Sequence, residues 1–560
     1  MKLIYILLVA LVCYSLPFFF SDELISPDNL VYDFFSTHLA ETGKLGYRPP
    51  GDEIFGRPGF TPRYFVYNSE GETYPRKFPG FIIFWAGLKW ILPPQASRLA
   101  APLCAVLSLL ILFFIGKEVF PDLKTPLRGV ILLATTPVFI RRAFVYNATL
   151  LNLAVFLAAL YFLLRALRNR GLSSYLLFGI FAGALIWIRP TNAIYLLSLF
   201  ILILIERGSV VGKWLIVAVI MIVLFGGGLL LYNYTVYGSF FNLGYTTTLQ
   251  PSEITVSAKA PLSIRRILEY LNFHPRIWLL HLKNAPLSLS LAFPLLILSL
   301  IGFFIPRRRK AAPIAEGSGQ SAGEYGEDTT EDEAGMNPGG LIRFNLYYFW
   351  LFIISVLFFS NFGTFGSERG EFTLNSSFLR YLMPTICLLP LFAARALSRL
   401  SFPAVRLMMV LAVFNIIIAL IAPGGAIETI TQSRYYGECR RFLLDQTDDR
   451  TVFFTYYWDK LVFPERMVYT HGTQFPSDEI DEVIRRVKEK GYRIVYPFNI
   501  CDSVIRDILV KNYVVEEIDG PDRLSPLTRR AAQFIPGHLY PLKLYKVTGD
   551  KKKQPVTGNL

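Results

Sequence analysis

The 560-residue chain is poor in charge: Asp, Glu, Lys and Arg make up 18% of it, against 53% hydrophobic residues. A soluble protein of this length needs more polar surface to cover itself. Histidine and cysteine are scarce, with five of each, and no spacing among them reads as a metal site. No Asp-x-Asp falls on the face assigned below as outer, which argues against a metal-bound nucleotide-sugar site. The C-terminal part holds neither a Gly-x-Gly-x-x-Gly turn nor a P-loop, so nothing there points to a nucleotide. No internal repeat is found.

Apolar and aromatic residues are abundant, including 47 Phe and 30 Tyr. Apolar runs of about 17–22 residues recur along most of the chain, the length that crosses a bilayer as a helix. About eleven spans are expected, near 3–20, 98–116, 127–140, 148–164, 174–188, 190–205, 214–233, 285–305, 342–360, 379–397 and 405–422. The fold class is therefore a polytopic α-helical membrane protein. The first run could be a signal peptide, but Pro17 and Phe18-Phe19-Phe20 stand where a cleavage site needs small residues. It reads as a retained span.

The net charge of +14 invites a nucleic-acid partner. Its distribution argues otherwise. With the N-terminus cytoplasmic, each inner loop is basic: Lys117, Lys124 and Arg128; Arg165, Arg168 and Arg170; Arg207 and Lys213; Arg307 to Lys310; and Arg395, Arg399 and Arg406. That is the positive-inside pattern, so the bilayer and its anionic headgroups are the expected partner. Arg141 and Arg142 break the pattern on the outer side. An odd span count puts the C-terminus outside, in a cell-membrane protein.

The division that follows is a transmembrane domain, 1–423, and an extracytoplasmic α/β domain, 424–560. Two outer segments, 21–97 and about 237–284, interrupt the first domain. The inner segment 311–340 is Gly-rich and acidic and is expected to be disordered. In the C-terminal domain "TVFFTYYW", "RIVYPFN" and "NYVVEEI" read as strands. "SRYYGECRRFLLDQ", "SDEIDEVIRRVKEKG" and "DSVIRDILVK" read as helices. Cys439 and Cys501 lie in this domain and could pair if it is extracytoplasmic. Cys13, Cys104 and Cys387 lie in apolar runs.

The stretch after the first span, "SPDNLVYDFFSTHLAETGKL", carries the most chemistry. Leu30, Val31, Phe34, Phe35 and Leu39 fall at helical spacing, with Pro27 ahead, Asp28 in the first turn and Gly43 as the stop. This is an amphipathic surface helix. It holds one carboxylate at headgroup level. Capping alone also accounts for an Asp there, and local sequence leaves both roles open. Asp22 and Glu23, at the span end, are candidates for a second carboxylate or are ordinary interfacial charges. His38, His274 and His281 receive no role. Asn147, Asn233 and Asn375 begin glycosylation triplets; the first two sit at span ends and only the third in an outer loop.

Asp28, Tyr32 and Gly43 stand at spacings that resemble the first outer loop of the GT-C integral-membrane glycosyltransferases that use lipid-phosphate sugars, such as the aminoarabinose transferases and protein O-mannosyltransferases. "YPRKFPGFIIFWAGLKWI", "SRLAAPLCAVLSLLILFFIGKEVF", "IRPTNAIYLL" and "FLRYLMPTICLLPLFAARAL" resemble further segments of that family in the same order. The likeness covers roughly the first 420 residues. It departs at Asn29, where the family carries Glu.

The resemblance implies transfer of a sugar from a polyprenyl phosphate to a protein, lipid or glycan acceptor on the outer face. The phosphate is already a good leaving group, so an inverting displacement needs one base, and Asp28 is the candidate. Cations must hold the departing phosphate. Arg380, Arg189, Arg76, Lys77 and Arg142 are candidates, although span-end arginines also serve as interfacial anchors. Arg57, Arg63 and Tyr64 could line an acceptor path. No cofactor is required by the sequence, and a divalent metal is not excluded. Dolichyl and undecaprenyl carriers remain open. Two other readings stand beside this one: a transporter or flippase of lipid-linked glycans, and a non-catalytic partner in envelope glycan assembly, which Asn29 keeps open.

Overall fold

The computed structural model describes residues 2–20, 26–56, 58–68, 70–92, 99–206, 214–241, 275–305, 338–360, 373–374, 376–399, 404–455, 458–470, 477–497, 509–518 and 544–550. Asp22, Glu23, Arg57, His274, Asn375, Cys501 and most of the segments 237–284 and 311–340 lie outside them. So does most of "DSVIRDILVK".

The chain opens with α1 (Lys2–Phe20), the surface helix α2 (Pro27–Thr42) and a short α3 (Pro50–Phe55). A small hairpin follows, β1 (Phe65–Tyr67) paired antiparallel with β2 (Thr73–Pro75). Then come α4 (Pro79–Ile91), α5 (Ala100–Val119), α6 (Lys124–Ala134), α7 (Pro137–Ala143), α8 (Ala148–Asn169), α9 (Leu172–Ile188), α10 (Ala193–Ile205) and α11 (Leu215–Tyr237). Among the described residues five helices are long and apolar enough to cross a membrane: α5, α8, α11, Gly340–Phe359 and one beginning at Ala404.

Several expected spans are broken instead. The run 127–140 forms two helices, because Pro137 cannot continue α6 and starts α7. The run 379–397 divides into Ser377–Tyr381, Met383–Ile386 and Leu389–Arg399. The pair Trp278–Ala292 and Leu296–Phe304 meets at a 97° bend. Hydropathy windows register apolar length but not such breaks.

The core lies around α8, whose apolar side chains are almost all buried. Small residues bring neighbours close. A Cβ at Gly179 of α9 would stand 2.7 Å from the Ala218 Cα of α11, the close approach that small residues permit between membrane helices. The outer flank of α11 is apolar and exposed, with Ile216, Val223 and Leu224 uncovered by protein, as a lipid-facing helix requires.

The C-terminal part begins with the helix Ala426–Asp445 and carries β3 (Thr451–Phe454), β4 (Met467–Tyr469), β5 (Arg493–Pro497), β6 (Tyr513–Ile518) and β7 (Leu544–Asp550). Their order in the sheet is β4-β3-β5-β7-β6. Strand β3 runs parallel to β4 and β5, and β7 runs antiparallel to β5 and β6. The sequence reading found three of these strands and missed the short β4 and the late β7. Helix Ser477–Glu489 buries Ile480, Val483, Ile484 and Val487 against the sheet region.

Candidate functional site

Helix α2 starts as its sequence dictates, but the cap is Ser26. Its hydroxyl accepts the Asn29 N–H and in turn donates to Asn29 Oδ1 at 2.9 Å. Pro27 occupies the first helical position, where no N–H is needed. The capping role open to Asp28 is thus filled by its neighbours. Asn29 is 3% exposed and belongs to the cap. Gly43 ends the helix with φ 70°, the left-handed conformation glycine tolerates. Buried Leu30, Val31 and Phe35 anchor the helix. Asp33 and Thr37 tie it to α4 through Lys89, whose Nζ lies 2.8 Å from Asp33 Oδ1 and 2.6 Å from Thr37 Oγ1.

Asp28 is thereby left facing inward. Its Oδ1 stands 2.8 Å from Lys77 Nζ. Lys77 is 3% exposed, whereas Asp28 keeps 26% of its side chain accessible within a surround of packed protein. The carboxylate thus lines an opening. Burial pushes its pKa up, but Lys77, Arg380 and Arg189 outweigh that effect and hold the carboxyl below its ordinary range. The positive end of α2 acts in the same direction.

The cations arrive from three parts of the chain. Lys77 precedes α4, whose first turn lies hard against the end of α9. A Cβ at Gly80 would meet the Trp187 carbonyl carbon at 2.6 Å. Arg189 ends α9 in an extended conformation (φ −159°, ψ 119°), because Pro190 forbids the helical one. Arg380 lies on Ser377–Tyr381, capped by Ser376. The Tyr381 ring lies close to both arginines, its centre 5.0 Å from the Arg189 guanidinium carbon and 5.4 Å from that of Arg380. Tyr195 donates its hydroxyl to the Tyr381 carbonyl.

Arg142 sits behind this group. It is buried, lies within coulombic reach of Arg380 and Arg189, and donates to the carbonyls of Leu374 (3.2 Å) and Ser376 (3.0 Å). Arg141 donates to the Gly424 carbonyl at 2.6 Å. The two residues that broke the charge pattern therefore brace the loops that present Arg380 and begin the C-terminal part.

Tyr64 and Arg63 approach from the other side. Lys77 Nζ lies 4.5 Å from the Tyr64 ring centre, and the Arg63 guanidinium 4.9 Å from it, distances at which cations are attracted to an aromatic face. Arg76 holds Tyr64 through its backbone N–H, 2.8 Å from the Tyr64 carbonyl. The structure thus gathers Asp28, Lys77, Arg189 and Arg380, backed by Arg142, with Arg63 and Tyr64 adjoining. His38 is used locally, its Nε2 lying 3.0 Å from the Gly46 carbonyl. Sequence reasoning assigned no role to Tyr381, although it stands in the Arg-Tyr-x-x-Pro stretch that carried part of the resemblance. Among the described residues no cluster of His, Cys, Asp and Glu could hold a metal ion.

Beside Arg189 an apolar groove of about 530 Å³ runs between α4, α8, α9 and α11. Ile83, Phe84, Trp187, Ile188 and Leu224 line it.

The structure resembles that of ArnT from Cupriavidus metallidurans bound to undecaprenyl phosphate, with a TM-score of 0.53 at 12% identity, over 92% of this chain and 96% of that one. The chain has the fold of the GT-C glycosyltransferases. The apo state of the same ArnT gives the same TM-score and identity, over 92% and 95%. Residues 93–227, from before α5 into α11, match the family of dolichyl-phosphate-mannose-protein mannosyltransferases. No curated protein matches the sequence.

Proposed function

We propose that the chain is a membrane glycosyltransferase that moves a sugar from a polyprenyl phosphate to an acceptor hydroxyl on the outer face of the cell membrane, with inversion. The observation that carries this reading is one partly open carboxylate, Asp28, among three cations, Lys77, Arg189 and Arg380. Two carboxylates would suit glycoside hydrolysis, where the leaving alcohol needs an acid. Among the described residues the site has a single carboxylate amid excess positive charge, which suits a phosphate leaving group.

In the step proposed, the acceptor oxygen attacks the anomeric carbon and its proton passes to the Asp28 carboxylate. The bond from that carbon to the phosphate oxygen breaks, and the electron pair leaves with polyprenyl phosphate. Lys77, Arg380 and Arg189 balance the charge that develops. Lys77 has two partners in this cycle. Once its ammonium turns to the phosphate, it withdraws from Asp28, and the carboxylate becomes a stronger base as the donor seats. The groove beside Arg189 takes the first part of the polyprenyl chain, since it is apolar and opens on lipid-facing residues. The ArnT match, whose structure holds undecaprenyl phosphate, makes that carrier the first to try.

The test is transfer of radiolabelled sugar from purified polyprenyl-phosphate donors by the native protein and Asp28→Asn in the same detergent. Transfer by the native protein and a loss of about a hundredfold or more in the variant are expected. Equal transfer by both would remove Asp28 from the chemistry.

A further inference from the structure

The C-terminal part is bonded to the loop that builds the site. Asp459 opens a short helix, Asp459–Val462, and is fully buried. Its Oδ2 accepts the backbone N–H of Arg63 at 2.9 Å, across 396 residues of chain. Thr470 Oγ1 donates to the Thr61 carbonyl at 2.6 Å, and Arg486 Nη1 to the Phe55 carbonyl at 3.2 Å. Phe463 inserts its ring against Phe34 of α2 and Phe65 of β1, with centres 4.9 and 5.5 Å away.

These contacts differ in what they reach. Arg486 holds the far end of the loop, at α3. Asp459 holds Arg63, next in sequence to the ring that Lys77 overlies. A fully buried carboxylate is costly to desolvate unless its hydrogen bonds are fixed in place. The Arg63 N–H meets Asp459 Oδ2 at an ordinary hydrogen-bond length, and a hydrogen bond is directional. Such a bond fixes a backbone position more tightly than the apolar contacts around it, which tolerate sliding.

We infer that Asp459 is a positioning residue for the Asp28–Lys77 pair: from the C-terminal domain it fixes the Arg63–Tyr64 turn, and the Tyr64 ring sets where the Lys77 ammonium stands. The inference rests on the reading of Lys77 as a donor-phosphate ligand. It gives the C-terminal domain a part in building the site.

The test measures binding of undecaprenyl phosphate to the full-length protein in detergent, beside thermal unfolding. Asp459→Ala weakens binding by about tenfold, and Asp459→Asn, whose amide oxygen still accepts the Arg63 N–H, stays within about twofold of native. Arg486→Ala loosens the same two parts of the molecule away from Tyr64 and leaves binding within about twofold. A merely structural role would move Asp459→Ala and Arg486→Ala alike, in step with their unfolding temperatures, and that result overturns the inference. So does an Asn variant as weak as the Ala variant. Lys77→Met separates the two levels. If it leaves binding unchanged, the donor-site reading falls and the inference with it. If it weakens binding while Asp459→Ala does not, only the inference falls. Should Asp459→Ala fail to fold, Tyr64→Leu removes the ring with Asp459 in place. The same tenfold loss is then expected, and native affinity refutes the proposal.

Discussion

Lys77 Nζ stands 2.8 Å from Asp28 Oδ1 and is itself almost wholly buried. The pair joins the start of the surface helix to the start of α4, and it sets the protonation state of the only candidate base the structure describes. Its removal has two readable effects. In Lys77→Met the largest attraction holding the Asp28 proton off is gone, so the carboxyl moves up. As the proposed base, Asp28 must be ionised to act. The acid limb of kcat/KM, which reports the free enzyme and lies below the ordinary carboxylate range in the native protein, therefore shifts to higher pH in the variant. A pH–rate profile of both proteins checks this.

Asp28→Asn leaves the start of α2 intact, because Ser26 and Asn29 supply the cap. The expected outcome is lost transfer with a lowered unfolding temperature, since the buried Lys77 loses the charge of its Asp28 partner while the helix cap stays in place. Ser26→Ala is the converse: it removes the cap and costs about 1 kcal/mol of stability, while Asp28 keeps its chemistry. Transfer assays and thermal unfolding of both variants separate the two roles.

Gly80 has no room for a side chain, since its Cβ would fall 2.6 Å from the Trp187 backbone. Gly80→Ala must push α4 away from α9, at about 1–3 kcal/mol. The same shift moves Lys77 away from Arg189. Lower thermal stability together with weaker binding of undecaprenyl phosphate is expected, and normal stability would show that the two helices separate freely.

Asp52 gives the loop a pH response. Burial raises its pKa to about 6, against an ordinary 3.8, even though Phe60 N–H donates to its Oδ1 at 3.0 Å. Between about pH 4 and 6 the folded chain thus binds a proton that the unfolded chain has released. Stability from this group is present below that window and declines as pH rises through it. Asp52→Asn removes the slope. Measured from pH 4 to 7, the unfolding temperature of the native protein should fall relative to that of the Asn variant as pH rises.

The surface helix, its Gly43 stop, and the turns at Arg189-Pro190 and Arg380-Tyr381 were legible in the sequence because each depends on neighbours in the chain. Which cations meet was not. Lys77, Arg189 and Arg380 come together through the packing of α4 on α9 and of Tyr381 near both arginines, and no local pattern encodes that. Ser26 was overlooked as the cap because Asp28 drew the role, although Ser-x-x-Asn is the better spaced pair. The breaks in three expected spans escaped the apolar count, which is blind to Pro137 and to a bend. Asp459 could not be found at all from sequence, since its partner is a backbone N–H almost four hundred residues away.

The apolar groove beside Arg189 bears on supply. Ile83 and Leu224, two of its lining residues, are uncovered by protein, so a chain could slide in sideways from the hydrocarbon. Drawing a polyprenyl tail into water would cost about 0.8 kcal/mol for every CH₂ exposed, and a lateral entrance avoids that barrier. For the proposed polyprenyl-phosphate donor, the relevant concentration is then its mole fraction in the leaflet. Diluting it with inert lipid should slow turnover, while adding more vesicles of the same composition should not quicken it.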